Sequence, residues 1–165
     1  ILGKKYGYLC FVLDFLKGFL PVAIAGTTVA QFTSLNPDLA RCVAFVGAFL
    51  GHVWTIFLGF KGGKGVATAA GALLAIYPPA FLVALFVWLI IFFSFRFVSL
   101  ASIIASATLP ISYLVIAKFT KSPVSDFFLG IFIIVTTLCM IKHRSNIKRL
   151  LNGTEPRFER KKNEN

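Results

Sequence analysis

Residues 59–65 read Gly-Phe-Lys-Gly-Gly-Lys-Gly, which places four glycines and two lysines in seven positions. Glycine lets a chain turn its backbone N–H groups inward around an anion, and Lys61 and Lys64 add positive charge to the same stretch. Capture of a phosphate is the chemistry such a loop suits. It is not a Walker A motif, because Lys64 is followed by Gly65 rather than Ser or Thr. On composition alone, a tight inter-helix turn with snorkelling lysines is an equal alternative.

Two further polar groups stand at the ends of apolar runs. Ser99 and Ser102 open one, and Lys142-His143-Arg144-Ser145-Asn146 closes the last. His143 and Asn146, three residues apart, would share one helical face. Lysines, hydroxyls, free backbone N–H groups and a His–Asn pair together describe a pocket for a phosphate and the hydroxyls attached to it. Each has a plainer alternative: the serines as helix caps, His143 as an interfacial residue. Asp14 and Lys17 would neutralise one another within the first run, and His52 would be a satisfied core histidine.

The elements that must position these groups are membrane helices. Of 165 residues 58% are hydrophobic and only 14% charged, with 19 Phe and a mean hydropathy of +0.84, far from the soluble range. The apolar content falls in runs at 9–31, 42–60, 66–77, 80–95, 97–117 and 124–141, so a lone signal peptide does not account for it. Pro78 and Pro79 make 66–95 either two short tilted helices or one broken helix. Pro21 and Pro110 predict kinks, with packed neighbours re-satisfying the freed carbonyls. The expected fold is an all-α integral membrane protein, a compact polytopic bundle of about five or six segments. It forms one domain over 1–158, followed by a polar cytoplasmic tail at 159–165. Cys10, Cys42 and Cys139 lack metal-site spacing and read as buried small hydrophobes.

Orientation follows from the basic residues. With the C-terminal tail inside and the Pro78–Pro79 turn reaching the outer side, 13 of the 17 Lys and Arg fall on the cytoplasmic face. Lys64, Ser102 and His143 then converge on that face. The helix starts near 66 and 97 would favour an anion there.

The order and wording of the motifs are more specific than any one of them. Asp14-Phe-Leu-Lys17-Gly18, Gly51-His52, Gly62-Gly63-Lys64-Gly65-Val66-Ala67-Thr68, Ser99-Leu-Ala-Ser102 and His143-Arg144-x-Asn146-Ile147-x-Arg149 through Gly153-x-Glu155 occur in succession. Over about residues 1–158 the chain closely resembles the bacterial acyl-phosphate-dependent glycerol-3-phosphate acyltransferases, the PlsY family. The resemblance implies an enzyme of the bacterial cell membrane that transfers a fatty acyl group from acyl phosphate to the 1-hydroxyl of glycerol 3-phosphate, giving lysophosphatidic acid and phosphate. It implies Lys64 as the phosphate-binding lysine, with Gly62, Gly63 and Gly65 shaping the loop, and Lys61 beside them. Ser102 would be a further phosphate ligand. His143 and Asn146 would stand at the reacting centre, with Gly153 and Glu155 completing their motif structurally.

The family also carries a first transmembrane helix and a motif of the Gly-Ser-Gly-Asn-x-Gly-Ala-Thr-Asn type, and this chain starts where that motif ends. A truncated N-terminus is the expectation. Thr55 stands where members commonly carry Pro, a change expected to affect only a local bend. An acyl phosphate has a good leaving group, so direct attack by the substrate hydroxyl needs positioning and charge stabilisation more than a protein nucleophile. No metal or other cofactor is expected. The expected partners are glycerol 3-phosphate, acyl phosphate, membrane lipid and the acyltransferase that produces acyl phosphate, with no nucleic acid. An inactive membrane scaffold and a small-anion transporter are the competing classes.

Overall fold

The computed structural model describes residues 3–158, a set of helices joined by short turns; the expected tail at 159–165 lies outside the described residues. Helix α1 (Gly3–Ile24) continues through a π turn at Ala25–Val29 into the short α2 (Ala30–Phe32). Pro21 does not break it. The wider turn begins four residues later, where the helix ladder loosens.

Helix α3 (Pro37–Val53) starts five residues before the apolar run that announces it. Its start is set by polar chemistry: Asn36 Oδ1 accepts from the N–H groups of Asp38 at 2.8 Å and Leu39 at 3.3 Å, and Pro37 occupies the first turn. The helix ends at Val53, and the remainder of the run forms a turn with one 3₁₀ stretch at Ile56–Leu58.

Residues 66–95 form two helices, α4 (Val66–Ile76) and α5 (Pro78–Phe95), with Tyr77 between them. Both prolines sit in the first turn of α5, where no intrahelical N–H is needed. The 11 residues of α4 reach only about 16 Å, half a bilayer core. Helix α6 (Val98–Thr120) runs continuously through Pro110. The carbonyl four residues earlier, on Ser106, loses its helical donor there, and Thr136 Oγ1 donates to it at 2.7 Å. Thr136 belongs to α7 (Asp126–Lys142), which bends by 60° into the short α8 (Arg144–Leu151).

Helices α1 and α4 pack almost backbone to backbone. A Cβ on Gly18 would strike the Thr68 carbonyl, and one on Gly71 would strike the Phe15 carbonyl. Small residues at such crossings let apolar helices gain dispersion contacts that lipid cannot supply. Phe45, Phe132, Leu109 and Val22 fill the centre of the bundle. The outward faces are apolar as well, and only 11% of the α5 span is buried. Among the described residues, four helical stretches are long and apolar enough to cross a membrane, and α7 with α8 makes a fifth if counted as one bent span. Cys42 is buried and Cys139 partly so, but Cys10 is exposed, against expectation, because the first turns of α1 stand clear of the bundle with Tyr8 and Phe11.

If the Thr136 hydroxyl compensates for Pro110, Thr136→Val should lower thermal stability in detergent by about 1–2 kcal/mol. In a Pro110→Ala background the same change should cost much less. Equal costs in the two backgrounds would show that the hydroxyl serves something else.

Candidate active site

The three polar groups picked out by their chemistry meet at one end of the bundle, in an open cavity of about 320 Å³. Lys64, Ser99, Ser102, His143 and Asn146 line it, together with Val66, Val98 and the segment Glu155–Phe158.

Lys64 is delivered by the loop. Gly62 N–H bonds the Val53 carbonyl at 3.1 Å, fastening the loop to the end of α3. Gly65 then turns the chain into α4 at φ +77°, pressed against the Phe49 ring, where any Cβ would be both strained and in collision. No side chain caps α4, so the N–H groups of its first turn stay open beside Lys64. Lys61 is exposed and does not line the cavity, and the loop glycines shape Lys64's approach without lining it themselves.

The remaining side chains form one connected network. Lys64 Nζ donates to Asn146 Oδ1 at 2.7 Å, and Asn146 Nδ2 donates to Glu155 Oε1 at 2.7 Å. The same carboxylate accepts from Ser99 Oγ and from Arg149 Nε at 2.7 Å. Burial alone would raise the Glu155 pKa, but the hydrogen bonds from Ser99, Asn146 and Arg149, with the Arg149 charge, hold it below the ordinary carboxylate value. Lys64 is lowered from its ordinary value, chiefly by burial; Glu155 opposes that shift and Arg149 adds to it. Arg149 balances Glu155, so Lys64 brings net positive charge to the cavity.

His143 stands at the 60° break as the N-cap residue of α8, its carbonyl accepting from the Ile147 N–H at 2.8 Å, three residues before Asn146. The bend itself points both side chains into the cavity, and they are only 2% and 5% exposed. The ring Nδ1 lies 2.9 Å from the Cys139 carbonyl. A carbonyl only accepts, so Nδ1 carries the proton and Nε2 is left as an acceptor.

Neither serine caps α6. Ser99 serves Glu155, while Ser102 donates to the Val98 carbonyl at 2.8 Å and accepts from Trp88 Nε1 at 3.2 Å. Phe97 holds the cap position without a side-chain bond, which leaves a second uncapped helix start at the cavity. Sequence reasoning missed Ser99 as a network member, the central place of Glu155, and Arg157 on the wall with its guanidinium 5.3 Å over the Phe97 ring. Only the motif ending at Glu155 pointed that way.

A family model described as glycerol-3-phosphate acyltransferase matches residues 1–153. The chain belongs to that family. A glycerol-3-phosphate acyltransferase of Aquifex aeolicus (strain VF5) is 44% identical over 163 residues, covering 95% of this chain and 76% of the relative. Another, from Desulfotalea psychrophila, is 42% identical over 162 residues, covering 98% and 78%. Two crystal structures of PlsY (YgiH), an integral membrane glycerol 3-phosphate acyltransferase, match with TM-score 0.79 at 42% identity. One is the glycerol 3-phosphate form and the other the lysphosphatidic acid form; the match covers 96% of this chain and 74% and 75% of those chains. The protein is thus an all-α, multi-pass membrane acyltransferase, and phospholipid biosynthesis follows from its family.

Within this acyltransferase Glu155 sets a pH signature. A carboxylate with a lowered folded pKa stabilises the fold above its unfolded pKa, and that contribution is lost as pH falls through the folded value. The melting temperatures of the native protein and Glu155→Gln should therefore differ by a constant amount at and above about pH 6, and converge below the ordinary glutamate range. A gap that persists unchanged in acid would mean that the carboxylate charge is not what holds the network.

Proposed function

We propose that this acyltransferase moves a fatty acyl group from an acyl phosphate to the 1-hydroxyl of glycerol 3-phosphate, releasing lysophosphatidic acid and phosphate, at the cytoplasmic face of a bacterial inner membrane. The observation that carries this reading is the convergence of Lys64, two uncapped helix starts and His143 on one cavity at the end of an apolar bundle. Phosphate on an acceptor suits the α4 N-terminus, because its open N–H groups and Lys64 Nζ present donors and positive charge from the same direction. Ser102 lines the same cavity, and rotation of its hydroxyl away from the Val98 carbonyl would add a further donor.

The reaction needs little from the protein beyond placement. The acceptor hydroxyl oxygen attacks the acyl carbonyl carbon, a new ester C–O bond forms, the bond from that carbon to the phosphate oxygen breaks, and phosphate departs with the electron pair. His143 Nε2 accepts the hydroxyl proton, since the bond from Nδ1 to Cys139 holds the ring in the tautomer that can. Asn146, fixed between Lys64 and Glu155, keeps the lysine aimed at the acceptor phosphate. Charge distribution supports the cytoplasmic placement: the cavity wall and the adjoining α8 carry Lys64, Arg144, Lys148, Arg149 and Arg157.

The full-length protein in detergent should convert palmitoyl phosphate and glycerol 3-phosphate into lysophosphatidic acid and should fail with palmitoyl-CoA. Turnover of the thioester but not the acyl phosphate would overturn the donor. Lys64→Ala should raise KM for glycerol 3-phosphate, with a loss of about 1.5–3 kcal/mol, or roughly 10- to 150-fold in kcat/KM. Unchanged acceptor kinetics would remove Lys64 from the phosphate site.

A further inference from the structure

Helix α1 carries two charges far from either end, and a charge placed there is costly unless it serves a purpose. The Asp14 carboxylate pairs with Lys17 one turn on, and Oδ1 also lies 3.6 Å from Nδ1 of His52 on α3. His52 is in turn the bed of the glycine-lysine loop. Its ring faces Gly63 so closely that a Cβ there would come within 2.7 Å of Nε2, and its carbonyl blocks a Cβ on Gly62. The next carbonyl, on Val53, holds the Gly62 N–H. The chain of contacts runs from α1 through His52 to the loop, and ends one residue before Lys64. None of the three polar residues lines the cavity.

We infer that Asp14 and His52 are positioning residues for the phosphate-binding loop, the carboxylate orienting the imidazole and the imidazole fixing the height at which Gly62 and Gly63 pass beneath Lys64. The intramembrane charge on α1 is retained because it sets the aim of a lysine on another segment. Lys17 belongs to the device as the counter-charge paired with Asp14 one turn along α1. This inference rests on the reading that the loop holds the phosphate of glycerol 3-phosphate.

The test compares steady-state kinetics of Asp14→Asn, His52→Asn and His52→Leu with the native enzyme, all in the full-length protein and with melting temperatures recorded. Asp14→Asn and His52→Leu should each raise KM for glycerol 3-phosphate about three- to tenfold while kcat and KM for palmitoyl phosphate stay within about twofold. His52→Asn keeps a polar group where Nδ1 stood and should recover part of the lost acceptor affinity. The double variant Asp14→Asn/His52→Leu should be no worse than the weaker single variant, because both act through one contact. Additive effects, or a fall in kcat with both KM values unmoved, would overturn the inference. If Lys64→Ala raises the acceptor KM while these variants leave it unchanged, only the positioning role fails. If Lys64→Ala itself has no effect on acceptor use, the phosphate-site reading fails first.

Discussion

The carboxylate of Glu155 is where the polar half of this protein is tied together. It takes hydrogen bonds from Ser99 at the start of α6, from Asn146 on α8 and from Arg149 one turn further along, and through Asn146 it reaches Lys64. A buried, ionised carboxylate is costly without partners, and three donors with a guanidinium among them reverse that cost. Three chain segments far apart in sequence are thereby held at fixed spacing around one cavity. The network joins the loop, α6 and α8 where they face each other across the cavity.

Lys64 depends on this arrangement in two ways. Its ammonium has Asn146 to aim at, and the loop beneath it is fastened to α3 through Gly62 and pressed against Phe49 at Gly65. Gly62, Gly63 and Gly65 are needed for backbone closeness. Such closeness matters wherever a reaction is catalysed by positioning, because a displacement of an ångström is felt at the reacting atoms.

The helices and their approximate limits were legible in the sequence because a bilayer imposes long apolar runs that few other environments require. Their ends were less so. Asn36 begins α3 before the hydrophobicity rises, and the 42–60 run ends as a turn because the backbone must reverse to bring the loop back. The two readings left open for 66–95 were separated by Pro78 and Pro79 acting as helix starters at Tyr77. His143 and Asn146 were found by type and spacing, but the bend that precedes α8 was not, since the break between α7 and α8 has no proline or glycine to announce it. Lys61, chosen for its nearness in sequence to Lys64, is exposed and does not line the cavity.

Residue chemistry and its order along the chain determined that this is a helical membrane protein and which family it belongs to, and singled out Lys64, Ser102, His143 and Asn146, which line one cavity. Those properties are local: hydropathy, charge and motif spacing are written in consecutive residues. Tertiary structure alone decided that Glu155 joins them, that Ser99 is a network member rather than a cap, that Thr136 repairs the ladder at Pro110, and that Asp14 meets His52 beneath the loop. Each of these is a hydrogen bond or close approach between segments distant in sequence, and its energy depends on distances of a few ångströms that no pattern along one strand of sequence encodes.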